Sequence, residues 1–339
     1  MALRRDFWLC VCVPFLWVSC VGQQDDEWPS NSIAFDVIHS TEAWLSVAGN
    51  EGSTLVVGGQ PGQGAFSFVG DGGAVEPQRL DGAGMLWWVT GLESGKGFVA
   101  VGEQGSVFHV AEDGQGKRLR DPEESVTLYG VFGPNLGTLW VVGTREGQEG
   151  PEPVFERYDG SSWETVEWDW SGDGPPPAAF YKISGVGDHP SMVVGNDGVG
   201  VARTSEGEWR GSRVTDTGSI LFSVHCASPR RCAAVGGIPV PIVLLWDDEG
   251  WSDVPLPSNR PPVLQGVHMD ADGGILVSGF NGFLGRIAEG SDAIASYETG
   301  TNHAIHSVWV DGDGKILLTG GNIETARLEY EGFVGLSVP

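Results

Sequence analysis

Five side chains of this sequence are the strongest candidates for a binding site: Trp88, Lys182, His225, His268 and Trp309. Each stands next to a valine or isoleucine that recurs along the chain, and the alternation of side chains along a strand places all five on one strand face. Indole, ammonium and imidazole groups that converge in a concave site suit a small anionic or sugar ligand. The alternative is that the tryptophans fill a channel while Lys182 pairs with a neighbouring carboxylate.

The cysteines predict a disulfide. Cys226 and Cys232 flank the segment Ala-Ser-Pro-Arg-Arg, where a hairpin would bring two strand ends within bonding distance. We expect them to be joined in an oxidising compartment. A metal site that adds His225 is the alternative, but two thiols and one imidazole lack the fourth ligand that zinc requires. We expect neither a metal nor a cofactor.

Residues 1–19 have the pattern of an export signal. A short basic start precedes an apolar segment, residues 7–18, that is too short to span a membrane as an ordinary helix. The segment ends in Leu-Trp-Val-Ser-Cys20, which resembles a bacterial lipoprotein signal and implies that Cys20 becomes lipidated. Residues 20–31 would then be a polar tether, and Val21 resembles the outer-membrane sorting pattern. An ordinary secretion signal is the alternative.

The composition is strongly acidic, with 45 Asp and Glu against 19 Lys and Arg and a formal charge of −26. A phosphate backbone would be repelled, so we exclude nucleic acid as a partner. This charge keeps a surface-anchored protein soluble, and the functional alternative is a cationic partner or calcium. Segments 270–274 and 311–314 superficially resemble calcium loops, but they lack the liganding glutamate and lie where turns are expected. We expect a monomer whose partner is an envelope protein or a carbohydrate.

Seven glycines that each end a hydrophobic run indicate the architecture. They recur at intervals of 41 to 52 residues, a period typical of propellers and other repeat arrays. Each period contains short runs rich in Val, Trp, Phe and Tyr, separated by Gly, Asn and Asp, which is strand and turn chemistry. The anchor glycines are Gly58, Gly102, Gly143, Gly195, Gly236, Gly279 and Gly320. We predict an all-β fold, a seven-bladed β-propeller of four-stranded antiparallel blades, over residues 32–339.

Turn residues and chain ends predict how the blades are connected. The second and third strands of three blades are separated by Gln-Gly, Asp-Gly or Asn-Gly at residues 104–105, 197–198 and 281–282, as tight hairpins with positive φ require. The ring would be closed by residues 32–38 or 333–338 as the outermost strand, because pairing both chain ends in one blade stabilises a propeller.

The first strand of each blade has a large and a small face. Large side chains such as Trp87 and Tyr129 recur on one face, and small residues such as Ser46 and Gly130 occupy the other. We expect the small face to lie near the axis and the large face to fill the space between blades.

One blade diverges from the others. Residues 144–152 are predicted to be a long hairpin loop, and the exit that carries Trp168 and Trp170 is also long. Loops on a rigid scaffold commonly carry recognition, and exposed tryptophans beside acidic residues suit sugar rings or protein surfaces. The two tryptophans are therefore candidates for a partner-binding loop, or alternatively they cover the outer edge of the blade.

The repeat phrases resemble those of a known group of proteins. Leu-Tyr-Gly-Val-Phe-Gly (128–133), Leu-Trp-Val-Val-Gly (139–143) and Asp-Gly-Ser-Ser-Trp (159–163) are similar to repeats of secreted bacterial β-propellers of the sialidase-like, BNR-repeat and photosystem-assembly-factor type. Acidic-Gly-x-Trp loops resemble degenerate Asp-boxes. The resemblance covers about residues 40–339 and implies the propeller fold, which hosts both enzymes and inert scaffolds.

The resemblance raises the question of a sialidase-like activity. Such an enzyme requires an arginine cluster, a tyrosine nucleophile and carboxylic acid partners. Arg157, Arg203 and Arg286 end third strands, and we expect them to be solvent-facing partners of acidic residues. The sequence also lacks a Gly-x-Ser-x-Gly elbow, a phosphate loop and a His-Glu-x-x-His motif. We predict a non-catalytic binding or assembly module, lipid-anchored at the bacterial cell envelope or secreted. The alternative is a secreted carbohydrate-active enzyme, a sialidase-like glycoside hydrolase.

Overall fold

The chain folds into seven four-stranded antiparallel blades, two of which carry an additional two-residue strand at the outer edge. This arrangement confirms the predicted all-β, seven-bladed propeller. The computed structural model describes residues 30–31, 33–50, 52–70, 73–247, 250–323 and 331–338. The predicted export signal, Cys20 and nearly all of the predicted tether lie outside these residues. Within the described ranges, the helical elements are the 3-10 turns Glu93–Gly95 and Asn196–Gly198, and no helix has the length and apolar character that a membrane span needs.

The strands follow chain order from the innermost to the outermost position of each blade. Strands β1 (Ser30–Asn31) and β2 (Ala34–Ser40) precede the first blade. Blade 1 contains β3 (Ala43–Gly49), β4 (Thr54–Gln60), β5 (Gln63–Phe68) and β6 (Gln78–Arg79). Blade 2 contains β7 (Leu86–Gly91), β8 (Phe98–Gly102), β9 (Val107–Val110) and β10 (Gly116–Arg118). Blade 3 contains β11 (Val126–Asn135), β12 (Thr138–Gly147), β13 (Gly150–Tyr158) and β14 (Trp163–Thr165).

The remaining blades repeat this order. Blade 4 contains β16 (Phe180–Val186), β17 (His189–Gly195), β18 (Val199–Arg203) and β19 (Trp209–Arg213), with β15 (Asp169–Trp170) parallel to β19. Blade 5 contains β20 (Leu221–Ser228), β21 (Arg231–Gly236), β22 (Ile242–Asp247) and β23 (Gly250–Asp253). Blade 6 contains β24 (Leu264–Met269), β25 (Ile275–Gly279), β26 (Leu284–Ile287) and β27 (Ile294–Tyr297), with β1 parallel to β27. Blade 7 contains β28 (Ile305–Val310), β29 (Ile316–Gly321) and β30 (Gly332–Val338).

The two ends of the chain close the ring in blade 7. Strand β2 pairs antiparallel with β30, from Ala34 opposite Val338 to Ser40 opposite Gly332. The N-terminal strand is therefore the outermost one, and the C-terminal strand lies inside it as the third. This is the first of the two predicted closures, and it leaves neither β2 nor β30 without a paired neighbour.

A β-bulge interrupts the innermost strand of every blade at the same repeat position. In blade 3 the register shifts between Leu128 and Gly130, so Tyr129 is the extra residue. The anchor Gly143 pairs with Leu128, and a Cβ on Gly143 would lie 2.0 Å from the carbonyl oxygen of Thr127. All seven anchor glycines have such a carbonyl oxygen at 1.9 to 2.2 Å from the added Cβ. Glycine therefore recurs at these seven positions because a side chain would collide with a backbone carbonyl at the start of the innermost strand.

The three predicted hairpins have the backbone conformation that their sequences require. Gln104, Asp197 and Asn281 have φ values of 58°, 56° and 56°, and the glycine after each also has positive φ. Two consecutive positive φ angles are the signature of a type I′ turn, whose twist matches that of the flanking strands. Among the described residues, these three are the non-glycine positions with positive φ.

The predicted disulfide is confirmed within blade 5. Cys226 and Cys232 lie directly opposite each other in the pairing of β20 with β21, and their sulfur atoms are bonded. Both cysteines are buried in the core between blades 4 and 5. The bond therefore links β20, the innermost strand of blade 5, to β21, the second strand of the same blade.

Candidate functional site

The bulged residues of the innermost strands form a ring around the propeller axis. The ring centroids of Trp87 and Tyr129 are 5.4 Å apart, those of Tyr129 and Tyr181 are 5.3 Å apart, and those of Tyr181 and Phe222 are 6.1 Å apart. These contacts link side chains from four consecutive blades. Side chains from so many blades can meet only on the axial side of the innermost strands, where all the blades face the central channel. We call these four residues the aromatic arc. The whole axial ring consists of Leu45, Trp87, Tyr129, Tyr181, Phe222, Gln265 and His306.

This arrangement differs from the expectation for the two faces of the first strand. Large side chains such as Tyr129 were expected between blades, but the bulge turns them to the axis. The small face packs instead against the next blade, where a Cβ on Gly130 would lie 3.0 Å from the Cα of Lys182. Aromatic residues that recur at one repeat position were the sequence signal for the arc. Period-two alternation could not show that a bulge changes their direction.

Two polar atoms of the axial ring lack a hydrogen-bonding partner in the described part of the protein. They are Trp87 Nε1, which is a donor, and Gln265 Oε1, which is an acceptor, and both are shielded from solvent. A buried polar atom without a partner costs about 1–3 kcal/mol. A ligand that entered the axial ring and displaced the groups covering either atom would remove that cost.

Lys182 extends along the channel wall from blade 4 to blade 2. Its Nζ donates a hydrogen bond of 2.7 Å to the carbonyl oxygen of Tyr129 and lies 4.0 Å from the centroid of the Trp88 ring. Gly130, on the intervening strand of blade 3, has no side chain to obstruct this path. The removal of solvent from the Nζ lowers the pKa of Lys182 to about 7. The structure thus brings together two of the five predicted residues, and the lysine forms no ion pair with a described carboxylate.

His225 and His268 form a second pair, between blades 5 and 6. Their rings stack with centroids 4.3 Å apart, and His225 Nδ1 accepts a 3.0 Å hydrogen bond from the Met269 N–H. Burial lowers the pKa of His225 to about 3 and that of His268 to about 4. His268 also lies 4.0 Å from a carboxylate oxygen of Asp270. Both imidazoles are therefore neutral at pH 7.

Trp309 lies apart from both pairs. It packs between blades 7 and 1, where a Cβ on Gly49 would lie 2.0 Å from its Cη2. It contacts a buried cluster that includes Val47 and Val334. The five predicted residues therefore form two pairs and one separate side chain, and a ligand that touches all five stays a prediction.

The exit from blade 3 carries Trp168 and Trp170 over the outer edge of blade 4. The Trp168 ring lies 5.2 Å from that of Phe180, and Trp170 Nε1 donates a 3.0 Å hydrogen bond to the Gly174 carbonyl. These contacts match the alternative in which the tryptophans cover a blade edge, and partner binding by them stays a prediction. The predicted long loop at 144–152 is wrong. Most of it is strand, since the backbones of β12 and β13 stay paired as far as Gly147 opposite Gly150.

The two aspartate-rich segments form turns that their own side chains stabilise. Asp311 Oδ1 accepts hydrogen bonds from the backbone N–H groups of Asp313 and Lys315, at 2.9 and 2.8 Å. Asp272 Oδ1 accepts one from Gly274 at 3.2 Å. Across the described residues, no cluster of three or more His, Cys, Asp or Glu has the proximity that a metal site requires.

The three arginines that end third strands do not behave alike. Arg286 pairs with Asp270 at 2.9 Å and with Asp272 at 3.5 Å, as expected of a solvent-facing partner of acidic residues. Arg157 instead stacks on Trp140, and Arg203 Nε contacts the Gly207 carbonyl oxygen. The expectation of acidic partners is therefore wrong for these two, although Glu164 lies directly opposite Arg157 in the pairing of β13 with β14.

Comparison with known proteins establishes the fold alone. No family model matches the chain, and no curated protein matches it. Virginiamycin B lyase from Staphylococcus aureus is similar in structure, with a TM-score of 0.66 at 13% identity over 90% of this chain and 100% of that one. Its catalytically inactive histidine-to-alanine variant with quinupristin gives 0.62 at 13% identity over 90% and 100%. The WD40 β-propeller domain of Doa1 gives 0.61 at 8% identity over 87% and 92%. The chain is thus similar to the β-propellers of a lyase and of a WD40 domain, and membership of a sialidase-like family stays a prediction.

Proposed function

We propose that this protein is a non-catalytic binding or assembly module of the bacterial cell envelope, held by a lipid on Cys20 and located preferably at the outer membrane. The axial ring is the observation that carries the proposal. Its aromatic arc offers large apolar faces, and Trp87 Nε1 and Gln265 Oε1 offer an unpaired donor and acceptor. Aromatic surface with a few convergent polar groups is the usual composition of a binding site. The partner is an envelope protein or a carbohydrate.

The chemistry of the ring supports binding rather than catalysis. Burial raises the pKa of Tyr129 and of Tyr181, so neither phenol is an activated nucleophile at neutral pH. His306 donates a 3.1 Å hydrogen bond to the Gly321 carbonyl oxygen, and burial lowers its pKa to about 4. An imidazole with so low a pKa is a weak general base at pH 7.

A secreted carbohydrate-active enzyme, a sialidase-like glycoside hydrolase, is the second candidate. The S. aureus lyase of similar fold supports it in one respect, since a propeller of this size can carry catalysis. A sialidase would need arginines and acidic residues at one mouth of the channel. Arg157 and Arg203 line a cleft between blades rather than the axial ring, which favours the binding module.

The aromatic arc is tested by removing one of its rings. We expect Tyr181→Leu to reduce capture of an envelope component from solubilised membranes at least tenfold, because buried aromatic anchors contribute about 2 kcal/mol or more to binding. Capture would be quantified by mass spectrometry of the bound fraction. Tyr158→Leu, on the outer part of blade 3, is the matched control and should capture normally. Equal capture by the wild type and Tyr181→Leu would exclude the arc as the binding surface.

The lipid anchor is tested separately. We expect Cys20→Ala to move nearly all of the protein from the membrane pellet to the soluble fraction, because acyl chains supply the attachment. Immunoblots of the two fractions measure the result. Val21→Asp is the control, since it should change the destination membrane and leave the protein in the pellet. Membrane sedimentation of Cys20→Ala at the wild-type level would contradict the lipoprotein assignment.

A further inference from the structure

A cleft between blades 3 and 4 opens on the face opposite the bulges of the axial ring. It has a volume of about 570 Å³, and its floor includes Trp140 and Trp209, each 6% exposed. Thr138 lines the cleft at the start of β12, whereas the bulge lies near Gly143, five residues further along the same strand. At about 3.3 Å per residue, the cleft and the axial ring are on the order of 16 Å apart along the strand. The blade 3–4 cleft is therefore separate from the proposed axial site.

Two arginines at this cleft lack the acidic partners that Arg286 has. Arg157 occupies the same repeat position as Arg286, whereas in blade 4 that position is Ala202 and Arg203 is the next residue. Arg286, near the end of β26, forms ion pairs with two aspartates of its own blade. Arg157 and Arg203, near the ends of β13 and β18, form no ion pair with a described carboxylate. Arg118 and Arg213 also form no ion pair with a described carboxylate, so what distinguishes Arg157 and Arg203 is the cleft that they share.

Local contacts orient both guanidinium groups toward the cleft. The Arg157 guanidinium lies 5.5 Å from the centroid of the Trp140 ring, and Arg203 Nε lies 3.5 Å from the Gly207 carbonyl oxygen. Arginine carries five N–H donors in a planar fork, and these contacts occupy few of them. Both side chains can therefore donate paired hydrogen bonds to a ligand in the cleft.

Acceptors line the same cleft. Glu164 and Glu167 form no ion pair with a described basic group, while Asp188 pairs with His189 at 3.1 Å. Because carboxylates and guanidinium groups share the cleft, a strongly anionic ligand would be repelled by the acids. A neutral ligand rich in hydroxyl groups can use both, since neighbouring hydroxyls donate to a carboxylate and accept from a guanidinium.

We propose that the blade 3–4 cleft binds a neutral oligosaccharide, independently of the axial ring. Arg157 and Arg203 donate to sugar hydroxyls, and Glu164 and Glu167 accept from them, above a floor that includes the largely buried rings of Trp140 and Trp209. The function proposed for the axial ring does not depend on this site.

Three neutral hexasaccharides, of β-1,4-glucose, α-1,4-glucose and β-1,4-N-acetylglucosamine, are suitable probes for the mature protein. Calorimetry and tryptophan fluorescence should show saturable binding of at least one. Arg157→Gln and Arg203→Gln should each weaken that binding about tenfold or more, since hydrogen bonds to charged groups are the stronger kind. Arg286→Gln, at the repeat position of Arg157 but outside the cleft, and Tyr181→Leu, in the axial ring, should each stay within about twofold of the wild type.

Four outcomes would overturn the proposal: no binding of any hexasaccharide at about 1 mM, wild-type affinity in both arginine variants, tighter binding of an acidic hyaluronan hexasaccharide than of the neutral ones, or loss of binding in Tyr181→Leu. Circular dichroism of each variant checks that the fold is intact. Failure here leaves the axial site unaffected, because the Tyr181→Leu capture experiment tests that site alone.

Discussion

Lowering the pH from 7 to 5 should reduce the free energy of unfolding by about 5 kcal/mol, because three buried histidines gain protons when the chain unfolds. Burial lowers the pKa of His225 to about 3 and those of His268 and His306 to about 4, from an ordinary value of 6.5. The unfolded state therefore binds more protons below pH 6.5. The stabilisation is fully present above that pH and is lost as the pH falls, by about 2 kcal/mol per histidine at pH 5.

Neighbouring charges modify this effect without changing its sign. Asp270 favours protonation of His225, whereas the proximity of His268 and His225 to each other opposes it. Lys182 opposes protonation of His306. A loss of about 5 kcal/mol is large beside the 5–15 kcal/mol that stabilises most proteins, so the free energy of unfolding should fall by a readily measured amount between pH 7 and 5.

Urea unfolding at pH 7, 6 and 5 measures the prediction. His225→Asn keeps an acceptor for the Met269 N–H, and His306→Gln keeps a donor to the Gly321 carbonyl. Each variant should lose about a third of the pH dependence. His189→Gln is the control, because the His189 side chain is 66% exposed. A flat profile between pH 7 and 5, or variants that titrate like the wild type, would show that these histidines do not control acid stability.

Gly143→Ala should lower the free energy of unfolding by about 3 kcal/mol. The new Cβ would lie 2.0 Å from the carbonyl oxygen of Thr127, and backbone on the neighbouring strand cannot yield as a flexible side chain can. Relief requires the bulge at Tyr129 to shift, which also displaces one ring of the aromatic arc. The substitution should therefore weaken binding at the axis together with stability.

Gly312→Ala is the matched control for this prediction. An added Cβ there has no heavy atom within 4 Å, and Gly312 lacks the positive φ that disfavours other residues. Its free energy of unfolding should match that of the wild type within about 0.5 kcal/mol. Chemical denaturation of both variants makes the comparison, and a Gly143→Ala protein as stable as Gly312→Ala would refute the steric explanation of the glycine period.

The blade count and the local turns follow from the sequence, for a reason visible at single residues. Asn281 and Gly282 form a type I′ hairpin because few other residue pairs accept two positive φ angles. Gly143 and the six other anchors recur because each must lie against a backbone carbonyl. These are constraints between a few nearby atoms, so the residues that satisfy them indicate the structure directly.

The candidate sites depended on the tertiary structure. A bulge gives no distinct sequence signal, so the direction of Tyr129 toward the axis emerged only from the paired strands. Lys182 could reach Trp88 only because Gly130 lies between them on an adjacent blade.

By itself, the sequence determined the all-β repeat, the type I′ hairpins and the cysteine pair, because short-range backbone geometry restricts which residues can occupy those positions. Only the tertiary structure decided which chain end closes the ring, which rings meet at the axis, and that Arg157 and Arg203 lack the carboxylates that bind Arg286. Those outcomes depend on how whole blades are rotated and spaced around the axis, and that spacing is the sum of packing between residues far apart in the chain.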